Sequence, residues 1–192
     1  MLLGFTIGYL LIFSMLAILR RNYEFLYYIL ILVVVWIVIG WYHKKLYLTN
    51  QILVGLTLVG LLHLLGGFIH MKGVRLYDVY LFEGFKYDNL VHMLATFTIT
   101  FVMFNLLDPH LDPKVKYDQF LFTMVLVALA SGFGAFNEIV ELGAVIFLGA
   151  GKQVGDYMNN ALDLVFNFLG AVAACCWIWG KGYFKEKGKN FY

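Results

Sequence analysis

Apolar residues run along this chain in six blocks of about membrane-spanning length, each bounded by charged or strongly polar residues. The first block, Leu2–Leu19, is closed by Arg20 and Arg21, and the second, Phe25–Tyr42, by His43, Lys44 and Lys45. The third is Gln51–Met71 and carries His63 and His70. The fourth is Asn89–Leu107, the fifth starts at Gln119 and runs through Glu141, and the sixth is Asn160–Gly180. A shorter apolar piece, LGAVIFLGAG, lies between the last two; it is too short to span and is expected as a half-helix or an interfacial segment. The pattern predicts an all-α fold, a polytopic transmembrane helical bundle of about six spans. It forms a single domain over 1–180, followed by a basic tail over 181–192.

Two loops break the pattern. KGVRLYDVYLFEGFKYD is polar and aromatic, and DPHLDPKVKYD holds the only prolines, Pro109 and Pro113, which suit turns outside helices. The first block has neither a basic n-region nor a small-residue cleavage site, so a retained helix is expected. Small residues from Ala128 to Ala135 would let the fifth helix approach its neighbours closely.

Composition supports a membrane protein. Hydrophobic residues make up 62% of the chain and charged residues 14%, against roughly 25% charged in a typical soluble domain. A net charge of +2 with no basic stripe gives no sign of nucleic-acid binding, and no nucleic-acid partner is expected. Aromatic residues cluster near block ends, as an interfacial belt requires. Cys175 and Cys176 are adjacent and apolar in context, so small buried thiols are expected and no redox compartment follows.

The ionisable residues change the picture. Charge at membrane depth costs ~2.5–3.5 kcal/mol per residue on insertion scales, so such residues mark function by default. With six spans, the loops after helices one, three and five lie on one side. His70, Asp88, His92, Glu138, Glu141, Asp156, Asn160 and Asp163 all fall at that side, delivered by four chain segments. Asp88 and His92 are four apart, Glu138 and Glu141 three apart, so each set shares a helix face. The expectation is a one-sided pocket rich in carboxylates and imidazole. Six basic residues fall on that side and eight on the other, so the positive-inside rule places the pocket outside the cytoplasm, although Arg20 and Arg21 argue the other way.

Roles can be assigned. Glu138, Glu141, Asp88 and His92 are the catalytic candidates, the carboxylates as ligands or bases and the Asp–His pair as an oriented imidazole. Glu138, Glu141, Asp156 and Asp163, with His70, are the metal-ligand candidates. Mg2+, Mn2+ or Zn2+ is the candidate cofactor, and no compact motif such as HExxH specifies it. Arg75, Lys86, Lys152, Asn159, Asn160 and His63 are the substrate-binding candidates, the cations for a phosphate head group. The leading function is binding or processing of a membrane lipid or lipid-linked head group, as a metal-assisted hydrolase or transferase if an enzyme. The alternatives are a proton-coupled small-solute transporter and a non-catalytic scaffold. The expected location is the cytoplasmic membrane of a prokaryote; the oligomeric state is open.

The run HLLGGFIHMKGVRLYDVYLFEGFKYDNLVHML, and then NEIVELGAVIFLGAGKQVGDYMNNALDLVFNFLGA, resemble the two signatures of the YjdF-type inner-membrane family. The order of acid–His, Glu, Asp and Asn-x-x-Gly is also distantly similar to VanZ-like proteins, which are linked to glycopeptide tolerance. The matching positions are His63, Gly66, Gly67, Asp88, His92, Glu138, Glu141, Gly155, Asp156, Asp163 and Gly170. Asn159 stands where the family pattern has an acid; it keeps an oxygen acceptor and loses the charge. The resemblance implies a multi-pass α-helical fold and no particular reaction.

Overall fold

The structure is a computed structural model that describes residues 1–43 and 45–181. The expected tail therefore lies, beyond Lys181, outside the described residues. Six helices are long and apolar enough to cross a membrane: α1 (Leu2–Leu19), α2 (Tyr23–Tyr42), α3 (Asn50–Phe68), α4 (Tyr87–Leu107), α6 (Gln119–Leu148) and α8 (Tyr157–Gly180). Two short helices, α5 (Pro113–Tyr117) and α7 (Gly151–Val154), precede and follow α6. Side-chain caps start several of these: Asn22 accepts from the Phe25 N–H, Thr49 from Ile52, Asp118 from Leu121 and Asp156 from Asn159.

One expectation is corrected. The apolar piece LGAVIFLGAG is not a separate half-helix, because nothing in it stops the helix before Gly149, which ends α6 in the left-handed region at φ 70°. At 30 residues, α6 is ~45 Å long. The short segment between the last two spans is instead the single turn α7.

The third block also ends earlier than its hydropathy implies. Ile69 turns extended after Phe68, and β1 (His70–Met71) pairs antiparallel with β2 (Val74–Arg75). Lys72 and Gly73 both have positive φ, as a two-residue hairpin turn needs. A 3-10 turn at Leu76–Asp78 follows, then a second hairpin of β3 (Tyr80–Phe82) and β4 (Phe85–Lys86) leads into α4. The 3-10 turn packs on α3 and α4, so this loop is a folded cap over one end of the bundle.

The bundle differs from a water-soluble protein on its outside, while its interior is mostly apolar, with Leu64, Phe122 and Ile178 fully buried. Its outer surface carries Leu3, Ile12, Trp41, Phe120 and Phe147, all exposed, which only a hydrocarbon solvent tolerates. Its interior holds Thr6, Thr57, Asn89, His92, Thr96, Thr100, Asp163 and Asn167, all buried. The threonine hydroxyls of α4 are satisfied within their own helix, as in Thr100 donating to the Thr96 carbonyl at 2.7 Å.

α4 is the hub, packed against α8, α6 and α3. Glycine sets the closest approach: a Cβ on Gly170 of α8 would lie 2.2 Å from the Met93 carbonyl oxygen of α4. That neighbour is backbone and cannot swing aside. Gly170→Ala is therefore expected to destabilise the bundle by about 1–3 kcal/mol through overpacking. Gly4→Ala, where a Cβ meets nothing within 4 Å, is expected to be silent. Thermal unfolding of the purified chain in detergent compares the two, and equal midpoints would contradict this packing.

Candidate functional site

The hub helix delivers a buried imidazole. His92 lies two turns into α4, and its ring is met by carboxylates from three helices. Its Nε2 lies 3.5 Å from Asp88 Oδ1, 3.9 Å from Glu141 Oε1 and 3.9 Å from Asp163 Oδ1. Its Nδ1 lies 3.6 Å from Glu138 Oε1. The spacings follow from helix geometry: Asp88 is one turn before His92 on α4, and Glu138 and Glu141 are one turn apart on α6. Asp163 comes from the second turn of α8 and is fully buried.

Hydrogen bonds hold part of this set. Asn89 Nδ2 donates to Asp163 Oδ1 at 3.1 Å, and Asn159 Nδ2 donates to Asp163 Oδ2 at 2.8 Å and to Asp88 Oδ2 at 3.3 Å. Lys86 Nζ donates to Asn159 Oδ1 at 3.1 Å. Asn137 Nδ2 donates to Glu141 Oε1 at 2.8 Å. Glu138 differs: both of its carboxylate oxygens are buried without a hydrogen-bond partner. Four carboxylates thus surround one imidazole. Two unit charges ~5 Å apart at an effective dielectric of ~20 repel by about 3 kcal/mol, so this set cannot be fully ionised without a cation or protons.

Two ligand sets have atoms within 4.8 Å of one another and could hold a metal ion: Asp88, His92 and Asp163, and His92, Glu138 and Glu141. The donors are oxygen and imidazole, a set that suits Mg2+, Mn2+ or Zn2+.

Beside the cluster is a cavity of about 20 Å³, lined by Glu24, Tyr28, His63, Tyr77, Asp88 and Glu141 among others. That is room for about one water-sized occupant. Tyr77 Oη and His63 Nδ1, both in the cavity lining, are 2.5 Å apart. Burial pushes the Tyr77 phenol well above its ordinary pKa, so it stays a neutral hydrogen-bonding group. Gly66 makes this contact possible, since a Cβ there would stand 2.8 Å from the Tyr77 ring.

The profile of a family described as "Predicted membrane protein (DUF2238)" matches residues 1–185. The chain belongs to that family. Neither a curated protein nor a solved structure matches it significantly. The family description gives a membrane location and names no activity.

The expected residues divide into two groups. Asp88, His92, Glu138, Glu141 and Asp163 come together, and His63, Lys86, Asn159 and Arg75 lie around them. Asp156 and His70, expected as metal ligands, do not reach the cluster. Asp156 is exposed and spends Oδ1 on the Asn159 N–H as the cap of α8. His70 is exposed in β1, opposite Arg75 in the hairpin. Lys152 is exposed on α7, and Asn160 is half-buried with its Oδ1 unpartnered. Asn159 is the instructive departure: its amide bridges Asp88 and Asp163, where an acid could only add a further repulsion. Four contributors escaped the sequence reading: Asn89, Asn137, Tyr77 and Glu24. Asn137 was visible in principle, four residues from Glu141 on one helix face. Tyr77 was not, because its position depends on the fold of the loop.

Repulsion among the acids is testable. With divalent ions chelated, Glu141→Gln is expected to raise the thermal midpoint, since Gln keeps the oxygen that Asn137 uses and removes one charge. His92→Leu is expected to lower it, leaving the carboxylates to face one another without the imidazole between them. A fall for Glu141→Gln under chelation would contradict the repulsion.

Proposed function

We propose that this chain is a membrane-embedded metal-dependent hydrolase or transferase acting on a lipid or lipid-linked head group. The reading places the site near the extracytoplasmic surface of a prokaryotic cytoplasmic membrane. The observation that carries it is the distribution of acids around His92: three carboxylates on the Nε2 side and one on the Nδ1 side. Metal-ligating histidines characteristically have a carboxylate on the far ring nitrogen, which fixes ring orientation and raises basicity. Asp88, Asp163 and Glu141 with His92 Nε2 would hold the ion, and Glu138 would orient the ring. The ion would supply Lewis acidity and water activation. Asn159 and Asn89 keep Asp163 aimed inward, and Lys86, tied to Asn159, brings a cation to the rim. His63 and Tyr77 offer a hydrogen-bonding pair next to the acids. Asp88, His92, Glu138, Glu141 and Asp163 are among the positions at which the sequence resembles the YjdF-type pattern, and an envelope role would accord with that resemblance.

A proton-coupled carrier needs a relay across the membrane. Along the described spans, no Asp, Glu, His, Lys or Arg lies between this cluster and the opposite ends of α1, α3, α4, α6 and α8. A scaffold network would satisfy its own groups, and Glu138 is left unsatisfied.

Elemental analysis of the full chain, purified in detergent without chelator, tests the reading. The wild type is expected to hold a stoichiometric divalent ion. Glu141→Gln and Asp163→Asn are expected to lose it, and Glu138→Gln to weaken its binding by about 10–100-fold. A wild type free of stoichiometric metal would overturn the metal-dependent reading.

A further inference from the structure

A second cavity, of about 440 Å³, opens next to the first and shares Glu24, Arg75 and Gln153 with it. Its character is opposite. Arg20, Arg21, Arg75 and His70 line it, against the single carboxylate of Glu24. That carboxylate is already engaged, lying 3.7 Å from Arg75 Nη1. Arg20 and Arg21 are exposed and have no ion pair among the described residues. Arg20 Nη1 donates to the Phe68 carbonyl at 3.1 Å, which fixes the guanidinium at the end of α3. Arg21 sits in the left-handed region at φ 53°, a conformation that a non-glycine residue adopts at a cost. Arg75 is pinned from three sides, by Glu24, by Asp78 Oδ2 at 3.2 Å, and by the Gln153 carbonyl, to which Nη2 donates. Three guanidiniums border one concave space, Arg20 and Arg75 held in place and only Arg75 paired with acids, an arrangement that suits a tetrahedral oxyanion.

We infer that this basic vestibule binds a phosphate group, held by Arg20, Arg21 and Arg75 with His70 at its edge. The volume accommodates a phosphate with a substituent. A phosphomonoester or diester seated there has its phosphate in positive potential, one wall away from the cavity that Asp88 and Glu141 line. The inference deepens the reading above and rests on it for the anion belonging to a head group. The anion site itself involves neither His92 nor the acids around it.

The experiment uses the full chain in a maltoside detergent, which carries no phosphate, with chelator present. The probes are inorganic phosphate and short-chain dihexanoyl phosphatidic acid, followed by isothermal titration calorimetry. Both are expected to bind saturably and to compete. Tighter binding of the phosphatidic acid assigns the site to a lipid head group, and equal binding assigns it to phosphate alone. Arg21→Gln is expected to weaken both by about tenfold, the scale of one charge-assisted hydrogen bond. That variant leaves the Arg20 tether intact, and a wild-type melting temperature shows that it folds. Glu141→Gln is expected to bind phosphate as the wild type does. Absence of saturable binding by either probe, or wild-type affinity in Arg21→Gln, overturns the inference. A metal-bound wild type that ignores both probes would sink this site alone; phosphate binding without stoichiometric metal would sink only the metal-dependent reading.

Discussion

A charged group inside a membrane bundle is tolerated only when other groups in the bundle answer it. In this chain the answering is organised around the ring of His92, which α4 carries into the space between α6 and α8. The ring has two nitrogens pointing in opposite directions, so it can be addressed by acids from both sides. Asp88 on the same helix, Glu138 and Glu141 on α6, and Asp163 on α8 use that geometry. Their convergence requires α8 to lie almost in backbone contact with α4, which Gly170 permits. It also requires α6 to present two acids one turn apart at the same depth. The packing of the three most intimately associated helices and the composition of the site are therefore one problem with one solution.

The amides around this ring show how the charge is managed. Asn89 and Asn159 give Asp163 a donor on each oxygen, and Asn159 reaches Asp88 as well. An amide can donate to two acids and still accept from Lys86, which no carboxylate could do in that place. Glu138 receives no such treatment. Amide donors thus answer Asp88, Asp163 and Glu141, and Glu138, on the Nδ1 side of the ring, has none.

Much of this was legible in the sequence because hydropathy and helical spacing are local properties. The six spans follow from block length, and Asp88/His92 and Glu138/Glu141 follow from i,i+3 and i,i+4 spacing. Counting spans then puts these pairs and Asp163 at one side of the membrane. What could not be read is whatever depends on chain direction outside helices. Asp156 has the right type and the right side, yet its backbone is extended at the start of α8, so it caps the helix and points away from the ring. His70 falls within an apolar run that reads as helix, but Ile69 turns extended and carries it out into a hairpin. Tyr77 lies in a loop whose sequence looks merely polar and aromatic, and only the 3-10 turn sets it against His63. The segment after Glu141 is too short to span by itself and reads as a separate piece, whereas Gly143 stays helical and only Gly149 adopts the left-handed conformation that ends α6.

The length of α6 has a consequence for the setting in which the site operates. At ~45 Å it exceeds a hydrocarbon layer of ~30 Å, and the excess must be taken up by tilt, by protrusion or by local thickening of the lipid. Because Glu138 and Glu141 ride on the far third of that helix, hydrophobic mismatch decides how far below the head groups the two acids sit. Acyl-chain length in the surrounding lipid thereby becomes a variable of the site, setting its hydration and its distance from anything that arrives along the membrane surface.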